Sequence, residues 1–146
     1  CLSKGLCAPV GSVLVGERAF IERARKNRKM LGGGMRQVGF LAAAGILALT
    51  EMTKRLEEDH ANAKYMAQRL AKIPGCTVDV DAVDINMVFF TLDRPAEQIA
   101  ALPQRMLERG VKINGFTGNE GRFLTHYGLS RADIDQALDI FCEGID

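Results

Sequence analysis

The chain has 146 residues, 47% of them hydrophobic and 25% charged, with a formal net charge of +1. That balance suits a globular protein with a real core. It excludes the electrostatic footprint of a nucleic-acid binder or of a protein that coats anionic membranes, and no apolar run is long enough to span a bilayer.

The first segment, Cys1 to Ser12, places Lys4 in a loop with Gly5, Pro9 and Gly11, ahead of Val13–Val15, which reads as a buried strand. Glu17 to about Leu31 reads as a helix with an apolar edge at Phe20, Ile21 and Ala24 and a basic remainder, stopped by Gly32-Gly33-Gly34. Met35 to about Lys72 reads as one long helical stretch. Its first half, around Phe40 to Leu49, is apolar nearly all round, which predicts partners beyond this chain or on another subunit. Its second half is amphipathic, with Leu56, Ala63, Met66, Ala67 and Leu70 at helical spacing and an end at Pro74-Gly75.

Beyond Pro74 strands and helices alternate. Thr77–Val80, Ile85–Leu92, Val111–Phe116 and Arg122–Tyr127 read as strands. Pro95 to Arg109 reads as a helix with Ile99, Leu102, Met106 and Leu107 inward and Pro103 as a weak point. Ser130 and Asp133 form a capping-box pattern that opens a helix from Arg131 to about Glu143. The expectation is an α/β protein in two parts, residues 1–73 and residues 74–146.

Four cysteines, at positions 1, 7, 76 and 142, form neither a CxxC pair nor a zinc spacing. No metal site is expected. No basic-then-apolar leader is visible, so free thiols in the reducing cytoplasm are expected.

Three places could carry chemistry. Lys4, on a stiff loop, is a candidate imine-forming nucleophile; on spacing alone a solvated lysine is the commoner case. The triplet ending at Gly34, followed by Arg36 and a helix, has the parts of a phosphate cradle: close backbone approach, a positive helix end and a guanidinium fork. A helix stop followed by a flexible corner would look the same. Arg122 opens a mainly apolar strand and calls for a carboxylate or phosphate partner, from a ligand or from the protein. His126 reads as structural, since no second histidine or acidic cluster accompanies it, and His60, on the polar side of the long helix, reads as solvated.

Taken in order, Ser3-Lys4-Gly5-Leu6-Cys7-Ala8-Pro9-Val10-Gly11-Ser12, Arg28-Lys29-Met30-Leu31-Gly32-Gly33-Gly34-Met35-Arg36-Gln37 and Arg122-Phe123-Leu124-Thr125-His126 resemble the C-terminal part of the low-specificity L-threonine aldolases. These are pyridoxal-phosphate enzymes of the aspartate-aminotransferase fold, fold type I. The resemblance implies an α/β fold in which residues 1–73 are the end of the cofactor-binding large domain with a long connecting helix, and residues 74–146 are the small C-terminal α/β domain. It implies pyridoxal 5'-phosphate as cofactor, a small β-hydroxy amino acid as substrate, and a homodimer or homotetramer in the cytoplasm, with no nucleic acid or membrane partner.

By the same resemblance Lys4 matches the lysine that holds the cofactor covalently. Arg36, with Gly34 beside it, matches the arginine at the cofactor phosphate, and Arg122 matches the arginine that binds the substrate α-carboxylate. Cys7 stands where many members have glycine. The family's cofactor-stacking histidine, its pyridine-facing aspartate, its phosphate loop and a second carboxylate arginine belong upstream of Cys1. The implied reaction cleaves L-threonine or L-allo-threonine to glycine and acetaldehyde. Competing readings are a β-eliminating lyase or aminotransferase of the same fold, and a non-catalytic paralogue that acts only by dimerising.

Overall fold

The computed structural model describes residues 1–145. The chain forms two compact units, one spanning Cys1–Leu56 and the other beginning at Glu57. This division falls earlier than the expected boundary at residues 73 and 74, because the amphipathic helix after Leu56 packs with the sheet and helices of the second unit.

In the first unit, α1 (Arg18–Met30) buries no residue. It ends as the glycines predict. The Gly32 and Gly33 N–H groups donate to the carbonyls of Lys29 and Arg28 at 3.3 and 2.7 Å, with Gly32 at φ +83°, a conformation open to glycine. Val13–Val15 is not the expected buried strand. It lies outside every ladder, and Val13, Leu14 and Val15 are exposed. An extended segment becomes a strand only when a neighbour pairs its backbone, and no described segment does so.

The single helix expected from Met35 to Lys72 is divided. Helix α2 (Gly39–Thr50) is followed by a 3-10 turn at Met52–Arg55 and then by α3 (Leu56–Leu70). At the break, the Thr50 and Thr53 hydroxyls donate back to the carbonyls of Ile46 and Leu49 at 3.0 and 3.2 Å. Such back-bonding competes with the helix ladder and bends it. Within α2 only Gly45 and Ala48 are buried, while Phe40, Ile46, Leu47 and Leu49 are exposed, so the apolar helix is uncovered as its composition predicted.

The second unit holds the core. A three-stranded antiparallel sheet has the order β1-β2-β3, with β1 at Cys76–Thr77, β2 at Met87–Leu92 and β3 at Glu120–Leu124. Its inner face carries Val88, Phe90 and Leu92. Against the core pack Ala63, Met66, Ala67 and Leu70 of α3, Ile99, Leu102 and Met106 of α4 (Ala96–Glu108), and Ile134, Leu138 and Phe141 of α5 (Arg131–Ile145). Pro103 lies inside α4 without ending it. Leu107, expected inward, is exposed: it follows Met106 by one residue, a turn of about 100° away from the buried stripe.

Phe90 is the centre of an aromatic cluster, with ring centroids at 4.8 Å to Phe123, 5.6 Å to Phe141 and 5.9 Å to Phe116. Gly121 makes this approach possible, since a β-carbon there would stand 2.5 Å from both the Phe90 and Phe116 rings.

Strand β1 is shorter than the expected Thr77–Val80, and Val111–Phe116 joins no ladder. Val111, Ile113 and Phe116 all pack against the core, so the inward positions run 111, 113, 116. That sequence breaks the period of two that a strand needs to hold register with β3. Only the Thr117–Glu120 bridge forms.

The end of β3 is fixed by buried polar bonds. The Thr125 hydroxyl donates to the Asp59 carbonyl at 2.6 Å, and the Asn86 amide donates to the Thr125 carbonyl at 2.7 Å. The Asn62 amide donates to the Leu129 carbonyl at 3.1 Å. Helix α5 opens on the predicted capping box: the Asp133 N–H donates to Ser130 Oγ at 3.2 Å, and the Ser130 N–H donates to the Asp133 carboxylate at 2.8 Å. Arg69 ties α3 to α5 through Asp135 and Asp139, and Tyr65 donates to Asp135 at 2.6 Å. None of the four cysteines forms a disulfide, and no helix is long and apolar enough to cross a membrane, among the described residues.

Candidate active site

Lys4 lies on a loop tied by its own backbone. The Leu2 N–H donates to the Gly11 carbonyl at 2.9 Å, the Ala8 N–H to the Leu2 carbonyl at 2.9 Å, and the Cys7 N–H to the Lys4 carbonyl at 2.8 Å. The lysine is exposed, and its amine has no partner among the described residues. A fixed backbone therefore carries an amine open to a partner. Cys7 closes the turn at φ +57°, where a non-glycine residue is strained. Glycine would take that conformation without cost.

Gly34 and Arg36 share the loop between α1 and α2, and both are exposed. Arg36 has no ion pair among the described residues. Helix α2 starts at Gly39 with Val38 as its N-cap and no side-chain cap, so its first N–H groups remain open. Open helix donors with an unpaired guanidinium just upstream suit an anion. A β-carbon on Gly34 would meet the Lys29 side chain at 2.6 Å, a flexible chain that can move away.

Arg122 stands in the second unit, on β3 opposite Phe89 of β2. The expectation of an arginine entering a buried strand is corrected by the pleat. Gly121 faces inward and Arg122 outward, so the guanidinium is exposed and has no protein partner among the described residues. It lines a concavity of about 310 Å³ with Phe89, Asn114, Thr117 and Glu120. A second concavity, of about 290 Å³, is lined by Arg122, Asn114, His126 and apolar residues of α3, α4 and α5. His126 is exposed, with Nδ1 2.9 Å from the carbonyl of the adjacent Tyr127, and His60 is half-buried rather than solvated.

Thus Lys4 and Cys7 share one turn, Gly34 and Arg36 share one loop, and Arg122 stands on the other unit. Asn114 and Phe89 went unnoticed in the sequence because each reads as strand interior. Only tertiary structure sets them beside Arg122. No group of three or more His, Cys, Asp or Glu could hold a metal ion among the described residues.

The beta-eliminating lyase family matches residues 1–93. The low-specificity L-threonine aldolase 1 of Arabidopsis thaliana is 41% identical over 142 residues, covering 97% of this chain and 40% of that protein. The low specificity L-threonine aldolase of Escherichia coli K12 is 48% identical over 134 residues, covering 92% of this chain and 38% of that protein. The chain thus spans about two fifths of the length of these curated relatives.

Among solved structures, one from Exiguobacterium, provisionally named an aromatic amino acid beta-eliminating lyase/threonine aldolase, superposes with a TM-score of 0.74 at 20% identity. It is matched over 97% of this chain and 42% of its own length. One from Listeria monocytogenes, provisionally named an L-allo-threonine aldolase, gives 0.71 at 19% identity, over 99% and 42%. These likenesses show the fold, the α/β architecture of fold type I. With the match over residues 1–93, the chain belongs to the beta-eliminating lyase family.

Proposed function

We propose that the chain is the C-terminal part of a pyridoxal-phosphate-dependent aldehyde-lyase that cleaves L-threonine and L-allo-threonine to glycine and acetaldehyde. The observation that carries this reading is the exposed, unpartnered Lys4 on its tied loop, in a chain that is 48% identical over 134 residues to a relative named as such an aldolase. The residues present fit the cofactor. Lys4 offers a free amine for its aldehyde. Arg36, the backbone at Gly34 and the uncapped start of α2 offer charge and donors for its phosphate. When bound, the cofactor supplies an electron sink for the pair released at the substrate α-carbon.

The chain's own residues do the rest. Lys4 would hold the cofactor through its side-chain amine. Arg122 grips the α-carboxylate with a bidentate fork and so fixes which α-carbon bond is aligned to break. In the whole enzyme residues 1–73 belong to the cofactor-binding large domain and residues 74–146 to the small C-terminal domain. The exposed apolar side chains of α2 support a homo-oligomer.

The family description favours one second reading, β-elimination, which releases a 2-oxo acid and ammonia. Product analysis of the full-length protein separates the two. Glycine and acetaldehyde from L-threonine are expected, with turnover abolished in Lys4→Ala. 2-Oxobutanoate and ammonia as main products from L-threonine would replace the aldolase reading, and turnover retained in Lys4→Ala would remove Lys4 from it.

A further inference from the structure

The two concavities at Arg122 share one other polar residue on the 111–116 segment, Asn114. Its carboxamide, like the Arg122 guanidinium, has no hydrogen-bond partner among the described residues. We propose that Asn114 is a further substrate-binding residue within this chain, whose amide N–H donates to the same carboxylate that Arg122 holds; this rests on the reading of Arg122 above.

The break in periodicity at 111–116 places Asn114 there. Val111 and Ile113 pack inward, and so does Phe116. With two residues instead of one between Ile113 and Phe116, Asn114 and Gly115 are both exposed. Arg122 is exposed too, between buried Gly121 and half-buried Phe123. The antiparallel register of the Thr117–Glu120 bridge, continued two residues along each chain, sets Gly115 opposite Arg122. A β-carbon on Gly115 would meet nothing within 4 Å, so no side chain at that position crowds the guanidinium.

The chemistry suits one carboxylate. Its two oxygens offer about four acceptor sites, of which an arginine fork fills two. Asn114 adds a neutral donor. Glu120 lines the same concavity and puts a negative charge near any bound anion, so binding depends on where the donors stand. Phe89, exposed beside them, gives an apolar wall.

The test titrates the full-length holoenzyme with glycine, and with glycinamide, which lacks the carboxylate. Asn114→Ala should weaken glycine about tenfold, the loss of one hydrogen bond to a charged group. Asn114→Asp, equal in size, should weaken it far more, about a hundredfold, because two carboxylates would face each other. Glycinamide affinity should stay within about twofold in both, whereas a purely structural role would move both ligands together. Asn114→Ser carries the test if the alanine variant does not fold. Glycine affinity unchanged in the alanine and serine variants but weakened in Arg122→Ala would overturn the role of Asn114 and leave Arg122 standing. Glycine affinity unchanged in Arg122→Ala would overturn the reading of Arg122, and this proposal with it.

Discussion

Replacing Gly121 by alanine tests the packing that places Arg122. Gly121 pairs with Phe90 across β2 and β3. An alanine β-carbon would stand 2.5 Å from the Phe90 ring and 2.5 Å from the Phe116 ring, where ordinary contact begins near 3.4 Å. Something must move by about 1 Å. Phe90 is only 2% exposed and is wedged by Phe123 and Phe141, so it cannot swing. Phe116 is half-buried on a segment outside the sheet and can. Overpacking a core costs about 1–3 kcal/mol, and alanine recovers about 0.4–1 kcal/mol by restricting the unfolded chain. Gly121→Ala should therefore lose roughly 1–2 kcal/mol, read as a lower urea midpoint by circular dichroism. Adding Phe116→Leu should restore part of it, a coupling visible in a double-mutant cycle. An unchanged or raised midpoint for Gly121→Ala would refute the reasoning.

The cysteines and the α5 cap give two further expectations. Burial, with a smaller contribution from Cys142, pushes the Cys76 thiol up to about 11. At pH 8 iodoacetamide should therefore label the exposed Cys1 and Cys7 while Cys76 stays unmodified, and rapid labelling of Cys76 would show that its site is open. Since the folded value is raised, the stability linked to Cys76 is intact below the ordinary thiol value of 9.0 and is lost as pH rises through about 11. Hydrogen bonds from the Ser130 hydroxyl and backbone hold the Asp133 carboxyl below its ordinary 3.8. Its contribution is present above that value and lost as pH falls through the depressed one. Amide exchange in the first turn of α5 should accelerate below pH 4 in the native chain and lose that pH step in Asp133→Asn. A step of equal size in the variant would place the titration elsewhere.

What was legible in the sequence was local. The Ser130–Asp133 box, the glycine stop after α1 and, Leu107 apart, the buried stripes of α3 and α4 each depend on a few neighbouring residues, and each forms. What was not legible depends on partners. Val13–Val15 has the composition of a buried strand but no ladder. Val111–Phe116 fails as a strand because three inward side chains at 111, 113 and 116 outweigh its backbone pairing. The break between α2 and α3 turns on two threonine hydroxyls that the apolar pattern does not register. The candidate site divides in the same way. Lys4, Gly34, Arg36 and Arg122 belong to local motifs, while Asn114 and Phe89 become neighbours of Arg122 only through the hairpin and the pleat.

The central claim is that Lys4 is the lysine that holds the cofactor. The most direct measurement is borohydride reduction of the full-length protein after incubation with pyridoxal phosphate, followed by peptide mass mapping. One stoichiometric adduct on Lys4 is expected, lost in Lys4→Ala while the fold persists by circular dichroism. A stoichiometric adduct on another lysine, or scattered adducts that the substitution does not change, would contradict it.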